Sequence, residues 1–95
     1  MNLTEKRKTF GERLNLLRRS KNISKDKLIQ DLNALLIEEY QENYIRPHII
    51  TRNEYDRYEN GELLPNQENL MNICKILKKP LDWFFSPMVK TKKMF

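Results

Sequence analysis

The sequence has little glycine and almost no cysteine. Two glycines in 95 residues are too few for a glycine-rich loop that binds phosphate. A single cysteine, Cys74, leaves no partner for an intramolecular disulfide and no thiolate cluster for a metal, a usage typical of cytosolic proteins. No apolar run approaches the roughly 20 residues that span a bilayer. We therefore expect a cytoplasmic protein without a membrane-spanning segment.

Groups that would carry enzyme chemistry are also scarce. The single histidine, His48, has no cysteine or carboxylate at the spacing of metal ligands and follows Pro47 in a predicted loop. Cys74 lies on the apolar face of a predicted helix, which favours a small core residue. The acidic run of Glu38, Glu39 and Glu42 is typical of a solvated helix face. The sequence predicts neither catalysis nor a metal or other cofactor.

Positive charge is concentrated at the N-terminus. The net charge is +5, and residues 1–27 carry nine Lys and Arg against three Asp and Glu. Residues 28–59 carry three Arg against seven acids, and residues 86–95 add three Lys without an acid. An anionic partner would therefore meet the N-terminal helix and the basic C-terminal tail.

The spacing of apolar residues is helical almost throughout, which predicts an all-α domain over residues 1–85 followed by the tail 86–95. Five helices are expected. The first runs from an N-cap at Thr4 to about Lys21, where Asn22 suits a left-handed C-terminal residue. The second starts after Ser24 and continues to about residues 41–43, and Arg46-Pro47 ends it. The last two start after Asn66 and with Pro80 in the first turn.

The third predicted helix lies in the segment "ITRNEYDRYENGELLPN", residues 50–66. Thr51 and Glu54 form a capping-box pattern, and Asn60-Gly61 ends the helix after Glu59. Tyr55 and Tyr58 are three residues apart and are expected to face the core. The side chains predicted on or near the opposite, solvent side are Arg52, Asn53 and Arg57.

From Phe10 to Phe85 the chain resembles the helix-turn-helix domain of the phage-repressor and Cro-like family. The resemblance is carried by "FGERLNLLRRSKNIS", by "RYENGELLP" and by "NLMNICKILKKPLDWFF". It implies a five-helix lambda-repressor-like fold whose third helix enters the major groove of DNA. Arg18 and Glu59 match a pair that forms a buried, structural ion pair in this family. A bacterial or phage-encoded protein is the corresponding expectation.

The resemblance also implies which residues contact DNA. Arg52 and Asn53 would face base edges, because Arg pairs with guanine and Asn with adenine. Asp56 and Arg57 lie one turn further along, and Lys25 would contact a phosphate at the start of the second helix. The full set expected at the DNA is Lys25, Thr51, Arg52, Asn53, Asp56, Arg57 and Asn60.

The sequence departs from the family between the second and third helices. Alignment of the flanking positions leaves residues 34–49, sixteen residues, where the family has a tight turn. An intact fold with a protruding helix and loop is one reading, since long loop insertions cost little entropy. The other possibility is that the extension contacts a partner, which could be a second subunit, flanking DNA or another protein.

Two functions remain open at this point. The first is a sequence-specific transcriptional regulator, a repressor of a phage, plasmid or other mobile element, which binds a palindromic operator as a homodimer. The second is a protein-binding inhibitor or antitoxin-type module that keeps the fold and uses residues 34–49 to contact its protein partner. The two differ in whether duplex DNA is bound with sequence preference.

Overall fold

Five helices account for the regular structure in the computed structural model, which describes residues 2–40 and 48–86. They are α1 (Leu3–Ser20), α2 (Lys25–Tyr40), α3 (Arg52–Glu59), α4 (Gln67–Leu77) and α5 (Leu81–Phe85). No strand is present among these residues. The all-α prediction is therefore confirmed.

The start of α1 corrects the sequence prediction. Its N-cap is Asn2 and not Thr4, because the Asn2 side chain accepts a hydrogen bond from the Glu5 N–H at 2.8 Å. The Glu5 carboxylate accepts in return from the Asn2 N–H at 3.1 Å, which completes a capping box. At the other end, Asn22 has φ 58, so the predicted left-handed residue is confirmed.

The start of α2 agrees with the sequence, but its predicted end cannot be compared. Ser24 Oγ accepts from the Lys27 N–H at 3.0 Å, as an N-cap does. The helix is described as far as Tyr40. Its expected continuation to residues 41–43, the break at Arg46-Pro47 and the tail beyond Ser86 lie outside the described residues.

At the start of α3, only one of the two hydrogen bonds of the predicted capping box forms within the described residues. Thr51 Oγ1 accepts from the Glu54 N–H at 3.0 Å. The Glu54 carboxylate, however, accepts from the Tyr58 hydroxyl and lies 2.9 Å from His48 Nε2, and within the described residues it returns no bond to Thr51. The helix ends at Glu59, and Gly61, with φ 76, turns the chain away.

The last two helices follow the predicted order. Asn66 caps α4 by accepting from the Asn69 N–H at 2.8 Å, and Cys74 is buried as expected. Pro80 is the N-cap of α5 and does not occupy its first turn, which corrects the prediction by one residue. Its φ of −69° suits either position, but its ψ of 156° is extended and not helical.

One apolar core joins all five helices. Both tyrosines predicted to face inward are buried, and aromatic contacts tie α1 to α5, with the Phe10 and Phe84 ring centroids 5.3 Å apart. The fully buried side chains are Phe10, Leu14, Leu28, Leu32, Tyr55, Ile73, Leu77 and Phe84. Since α3 has only eight residues, it depends on this packing and not on its own helix propensity. None of the described helices is long and apolar enough to cross a membrane.

Candidate nucleic-acid interface

The third helix presents one polar face to solvent. Tyr55 and Tyr58 point into the core, whereas Arg52, Asn53 and Arg57 are exposed. The helical repeat of 3.6 residues places positions 52, 53, 56 and 57 on the same side. The α3 side chains that were predicted to face a ligand therefore share a surface.

A buried ion pair holds α3 against α1. Arg18 Nε lies 2.7 Å from Glu59 Oε2, and the Glu59 side chain is only 3% exposed. Asn15 Nδ2 donates to Glu59 Oε1 at 2.8 Å, and the Tyr55 hydroxyl donates to the other carboxylate oxygen. Both carboxylate oxygens of Glu59 are thus bonded inside the protein. Arg18 and Glu59 have a structural place and do not face solvent.

The electrostatics of this pair follow from its hydrogen bonds. Burial opposes ionisation of Glu59, but the donors Arg18, Asn15 and Tyr55 outweigh it and hold the pKa of the carboxyl below its usual value. The hydrogen bond to Glu59 in turn raises the pKa of Arg18. Burial, followed by the bond to Glu59, raises the pKa of the Tyr55 hydroxyl, which stays neutral.

Close backbone contact adds to the attachment of α3. A Cβ at Gly11 of α1 would lie 2.6 Å from the Tyr58 carbonyl oxygen and 2.7 Å from that of Glu59. Only glycine fits where the first and third helices approach this closely. The exposed face of α3 is therefore positioned by α1 from behind.

Four charged side chains connect α3 to α2 on the solvent side. Lys25 Nζ lies 3.1 Å from Asp56 Oδ1, and Arg52 Nε lies 3.3 Å from the same oxygen. Arg52 Nη1 donates to Asp26 Oδ1 at 2.8 Å. We call Lys25, Asp26, Arg52 and Asp56 the Arg52 network. Its two cations and two anions cancel, so its formal charge is zero.

The Arg52 network is open to solvent. The Arg52 and Asp26 side chains are 54% and 80% exposed, and Lys25 and Asp56 about a third. The hydrogen bond from Lys25, together with that from Arg52, lowers the pKa of Asp56, so this carboxylate stays ionised at neutral pH. Pairs exposed to this degree are readily exchanged for other partners.

A second contact between α2 and the start of α3 holds the chain where it returns from the insertion. It joins the Asn33 side chain to the backbone of Ile50. The Asn33 side chain donates from Nδ2 to the Ile50 carbonyl oxygen at 3.0 Å and accepts at Oδ1 from the Ile50 N–H at 2.8 Å. Ile50 is 1% exposed, so these bonds satisfy backbone groups that water does not reach. The two ends of the 34–49 segment are thereby joined next to the N-cap of α3.

The remaining predicted residues lie at the two ends of α3. Thr51 is its N-cap, and Asn60 is its exposed C-cap. The Arg57 guanidinium is half exposed, with Nε 3.6 Å from Glu62 Oε1. Lys25, the one member of the set from α2, reaches the same surface through Asp56. The expected residues are therefore contiguous, from the start of α2 along α3.

Three further side chains contribute to this surface through contacts that the sequence did not predict. Asp26 lies in the first turn of α2, and its partner Arg52 is 26 residues away in sequence, so no local pattern reveals the pair. His48 meets Glu54 across the cap of α3. Asn33 is a polar residue next to Leu32, which is buried. A polar side chain beside a core position is the sequence signal that could have indicated its hydrogen bonds to the backbone of Ile50. No group of three or more His, Cys, Asp or Glu in the described residues is arranged to hold a metal.

Comparison with protein families agrees with this geometry. The model of a helix-turn-helix family matches residues 49–84, which span α3, α4 and most of α5. This match supports the resemblance to the helix-turn-helix domain of the phage-repressor and Cro-like type. The matched family is one of DNA-binding domains and is not an enzyme family, so the match supports a DNA-binding regulator. Comparison with curated proteins and with solved structures gave no match.

The matched segment starts at the last residue of the insertion. The family match thus covers α3, α4 and most of α5, while α1 and α2 lie outside it. In the structure both of these helices nevertheless contact α3, through the Arg18–Glu59 pair and through Asn33 and the Arg52 network. The helix-turn-helix arrangement is therefore completed by tertiary contacts on the N-terminal side.

Proposed function

We propose that this protein is a sequence-specific transcriptional repressor of a phage, plasmid or other mobile element, which reads the major groove with α3. The observation that carries the proposal is the exposed face of α3 within a helix-turn-helix domain. Arg52 and Asn53 lie in its first turn, where side chains of a recognition helix meet base edges. Arg pairs with guanine and Asn with adenine, so the two residue types suit this task.

The surroundings of α3 support contacts to the DNA backbone. Lys25 lies in the first turn of α2, where a cation and the helix N-terminus both favour a phosphate. Arg57 and Asn60 are exposed at the other end of α3. We assign these three residues to phosphates and Arg52 and Asn53 to bases. Thr51 holds the start of the helix, and Asp56 meets both Arg52 and Lys25.

A homodimer on a palindromic operator is the second part of the proposal. A single helix of eight residues reads only a few base pairs, and a two-fold symmetric dimer doubles the site without new protein sequence. The half-sites would then lie about one helical turn of DNA apart.

The competing function is a module that uses the 34–49 extension to bind another protein. Ile37 in the described part of this extension is 50% exposed, and Ile49 is 48% exposed, which favours it. The Asn33–Ile50 hydrogen bonds favour the DNA reader, because they keep α3 attached to α2 despite the insertion. We therefore place the DNA reader first.

Selection from random duplex DNA at about 0.15 M salt tests the proposal, since non-specific binding is screened under these conditions. We expect a palindromic motif. The double variant Arg52→Ala, Asn53→Ala should abolish the preference for it. Lys75→Ala is the matched control, because Lys75 is exposed on α4, which packs on α2 and α5. It should retain the preference.

Weak binding to every duplex without enrichment would overturn the repressor proposal. Substitution of Ile37 by a charged residue would then be the next experiment, with the binding of a protein partner as its readout. A motif that survives the double variant would show instead that bases are read by other residues.

A further inference from the structure

The cation best placed to read a base is also the one most closely held by acids. Arg52 donates to Asp26 across the α2–α3 boundary and to Asp56 one turn further along α3. Two carboxylates beside a DNA-facing cation repel phosphates and so oppose non-specific binding. Exposed ion pairs of this kind add little to folding stability, so stability does not account for them.

The geometry of the guanidinium leaves it able to bind a base. A guanidinium has five N–H donors, and the bonds to Asp26 and Asp56 use two of them. Three donors remain, one on Nη1 and two on Nη2, and guanine offers two acceptors, O6 and N7, in the major groove. These acceptors are neutral, whereas a phosphate oxygen is charged and is repelled by both carboxylates. The acids therefore penalise a phosphate contact more than a guanine contact.

Attachment to two different helices also restricts where Arg52 can point. An arginine tied only along its own helix keeps much of its rotamer freedom. Here Asp56 holds Nε from α3, and Asp26 holds Nη1 from α2, so the guanidinium plane is oriented relative to both helices. A side chain that is oriented before binding loses less entropy when it meets its base.

We propose that Asp26 and Asp56 determine sequence selectivity, by orienting Arg52 towards a guanine edge and keeping it off phosphates. The proposal rests on the DNA-reading function proposed above. It makes both aspartates positioning residues, which act on the DNA through Arg52. Asp56 also holds Lys25, so Asp26, whose described partner is Arg52, gives the cleaner test.

The experiment measures Kd for two duplexes, the one enriched by selection and a scrambled one of equal length and base composition. The selectivity is the ratio of the two Kd values. We expect Asp26→Asn to bind the scrambled duplex more tightly and to lower the selectivity about fivefold, the scale of one exposed ion pair. Its loss of affinity with salt should also become steeper, because a released Arg52 joins the phosphate contacts.

Asp31→Asn is the matched control. Asp31 is on the same helix and forms an ion pair with Lys27 at 3.1 Å, so the substitution removes the same charge without touching Arg52. A second measurement repeats Asp26→Asn in the Arg52→Ala background. If the aspartate acts through Arg52, it should no longer change the selectivity there.

Equal losses of selectivity in Asp26→Asn and Asp31→Asn would overturn the inference and leave a general charge effect. So would an unchanged effect of Asp26→Asn in the Arg52→Ala background. In both of those cases the wild type still prefers its selected site, so the proposed function stands. A wild type without any preference would instead overturn the proposed function, and this inference with it.

Discussion

Two sets of charged side chains attach α3 to its neighbours, one on the α1 side and one on the α2 side. The first centres on Arg18 and Glu59, whose side chains are 10% and 3% exposed. The second is the Arg52 network, in which Arg52 and Asp26 are 54% and 80% exposed. The N–O distances are similar, 2.7 Å and 2.8 Å. The chemistry is the same in both, and the difference is access to water.

That difference separates a structural contact from one that can be exchanged. Removing one partner of a buried pair leaves a charge that water cannot solvate. Removing one partner of an exposed pair costs little, because water replaces it. The α1 side therefore holds α3 in place, while the α2 side keeps its charges available for a ligand.

The largest effect is expected for Glu59→Gln. The neutral side chain leaves Arg18 buried without its counter-charge, which costs about 3 kcal/mol in the free energy of unfolding. Urea denaturation followed by circular dichroism measures it. The control is Glu62→Gln, which removes an exposed carboxylate 3.6 Å from Arg57 and should cost about 0.5 kcal/mol or less. Equal losses would contradict the distinction between buried and exposed pairs.

Gly11→Ala tests the attachment of α3 by backbone contact. The added methyl group would meet the carbonyl oxygens of Tyr58 and Glu59 at 2.6 and 2.7 Å, so α1 and α3 must move apart. We expect a loss of about 2 kcal/mol, although alanine has the higher helix propensity. Glu12→Ala, exposed on the same helix, is the control and should fall within about 0.5 kcal/mol of wild type. A more stable Gly11→Ala protein would show that the contact relaxes freely.

Asn33→Ala tests how the chain is closed after the insertion. It leaves the buried N–H and carbonyl groups of Ile50 without their partners, which costs about 1–2 kcal/mol of stability. Hydrogen exchange at the Ile50 amide should become faster than in wild type. Gln30→Ala, exposed on the same helix, should change neither quantity. Unchanged exchange in Asn33→Ala would show that the segment is held by other contacts.

A smaller effect is expected in the pH dependence of the free energy of unfolding, and its sign follows from the lowered pKa of Glu59. The folded pKa of Glu59 lies below its usual value of 4.5, so its ion pair stabilises the protein above that pH and is lost as the pH falls through the folded pKa. Between about pH 6 and about pH 3, the free energy of unfolding should fall more in wild type than in Glu59→Gln. Parallel curves would mean that Glu59 titrates normally.

The smallest effect is expected for Asp26→Asn on folding. Its side chain is 80% exposed and its partner Arg52 remains solvated, so the urea midpoint should equal that of wild type. The same variant is expected to lose DNA selectivity, so a change in selectivity without a change in midpoint sharpens the contrast with Glu59. A marked drop in midpoint would give the Arg52 network a structural role.

Much of the fold could be predicted because its signals are local. Ser24, Thr51 and Asn66 were predicted as N-caps, and each accepts a bond from the N–H three residues on. The error at α1 arose because Asn2 with Glu5 caps better than Thr4, although both patterns are present in the sequence. Helix ends remain less certain than helix identity, since neighbouring residues compete for the same cap.

The residues of the candidate site could be predicted from the sequence, but the hydrogen bonds that join them to distant residues could not. The polar face of α3 follows from the helical repeat, which separates Arg52 and Asn53 from Tyr55 and Tyr58. The bonds from Arg52 to Asp26 and from Asn33 to Ile50 join residues 26 and 17 positions apart. No periodicity in the sequence records such pairs.

By itself, the sequence determined the helices, the N-caps of α2, α3 and α4, and the segment that the helix-turn-helix family matches, because each of these depends on residues within a few positions of one another. The tertiary structure decided which charges are buried and which stay exposed. The sequence shows arginines and acids of the same kind at Arg18, Glu59, Arg52 and Asp26. Only the packing of α3 on α1 removes water from the first two and leaves it around the others, and access to water sets what an ion pair contributes.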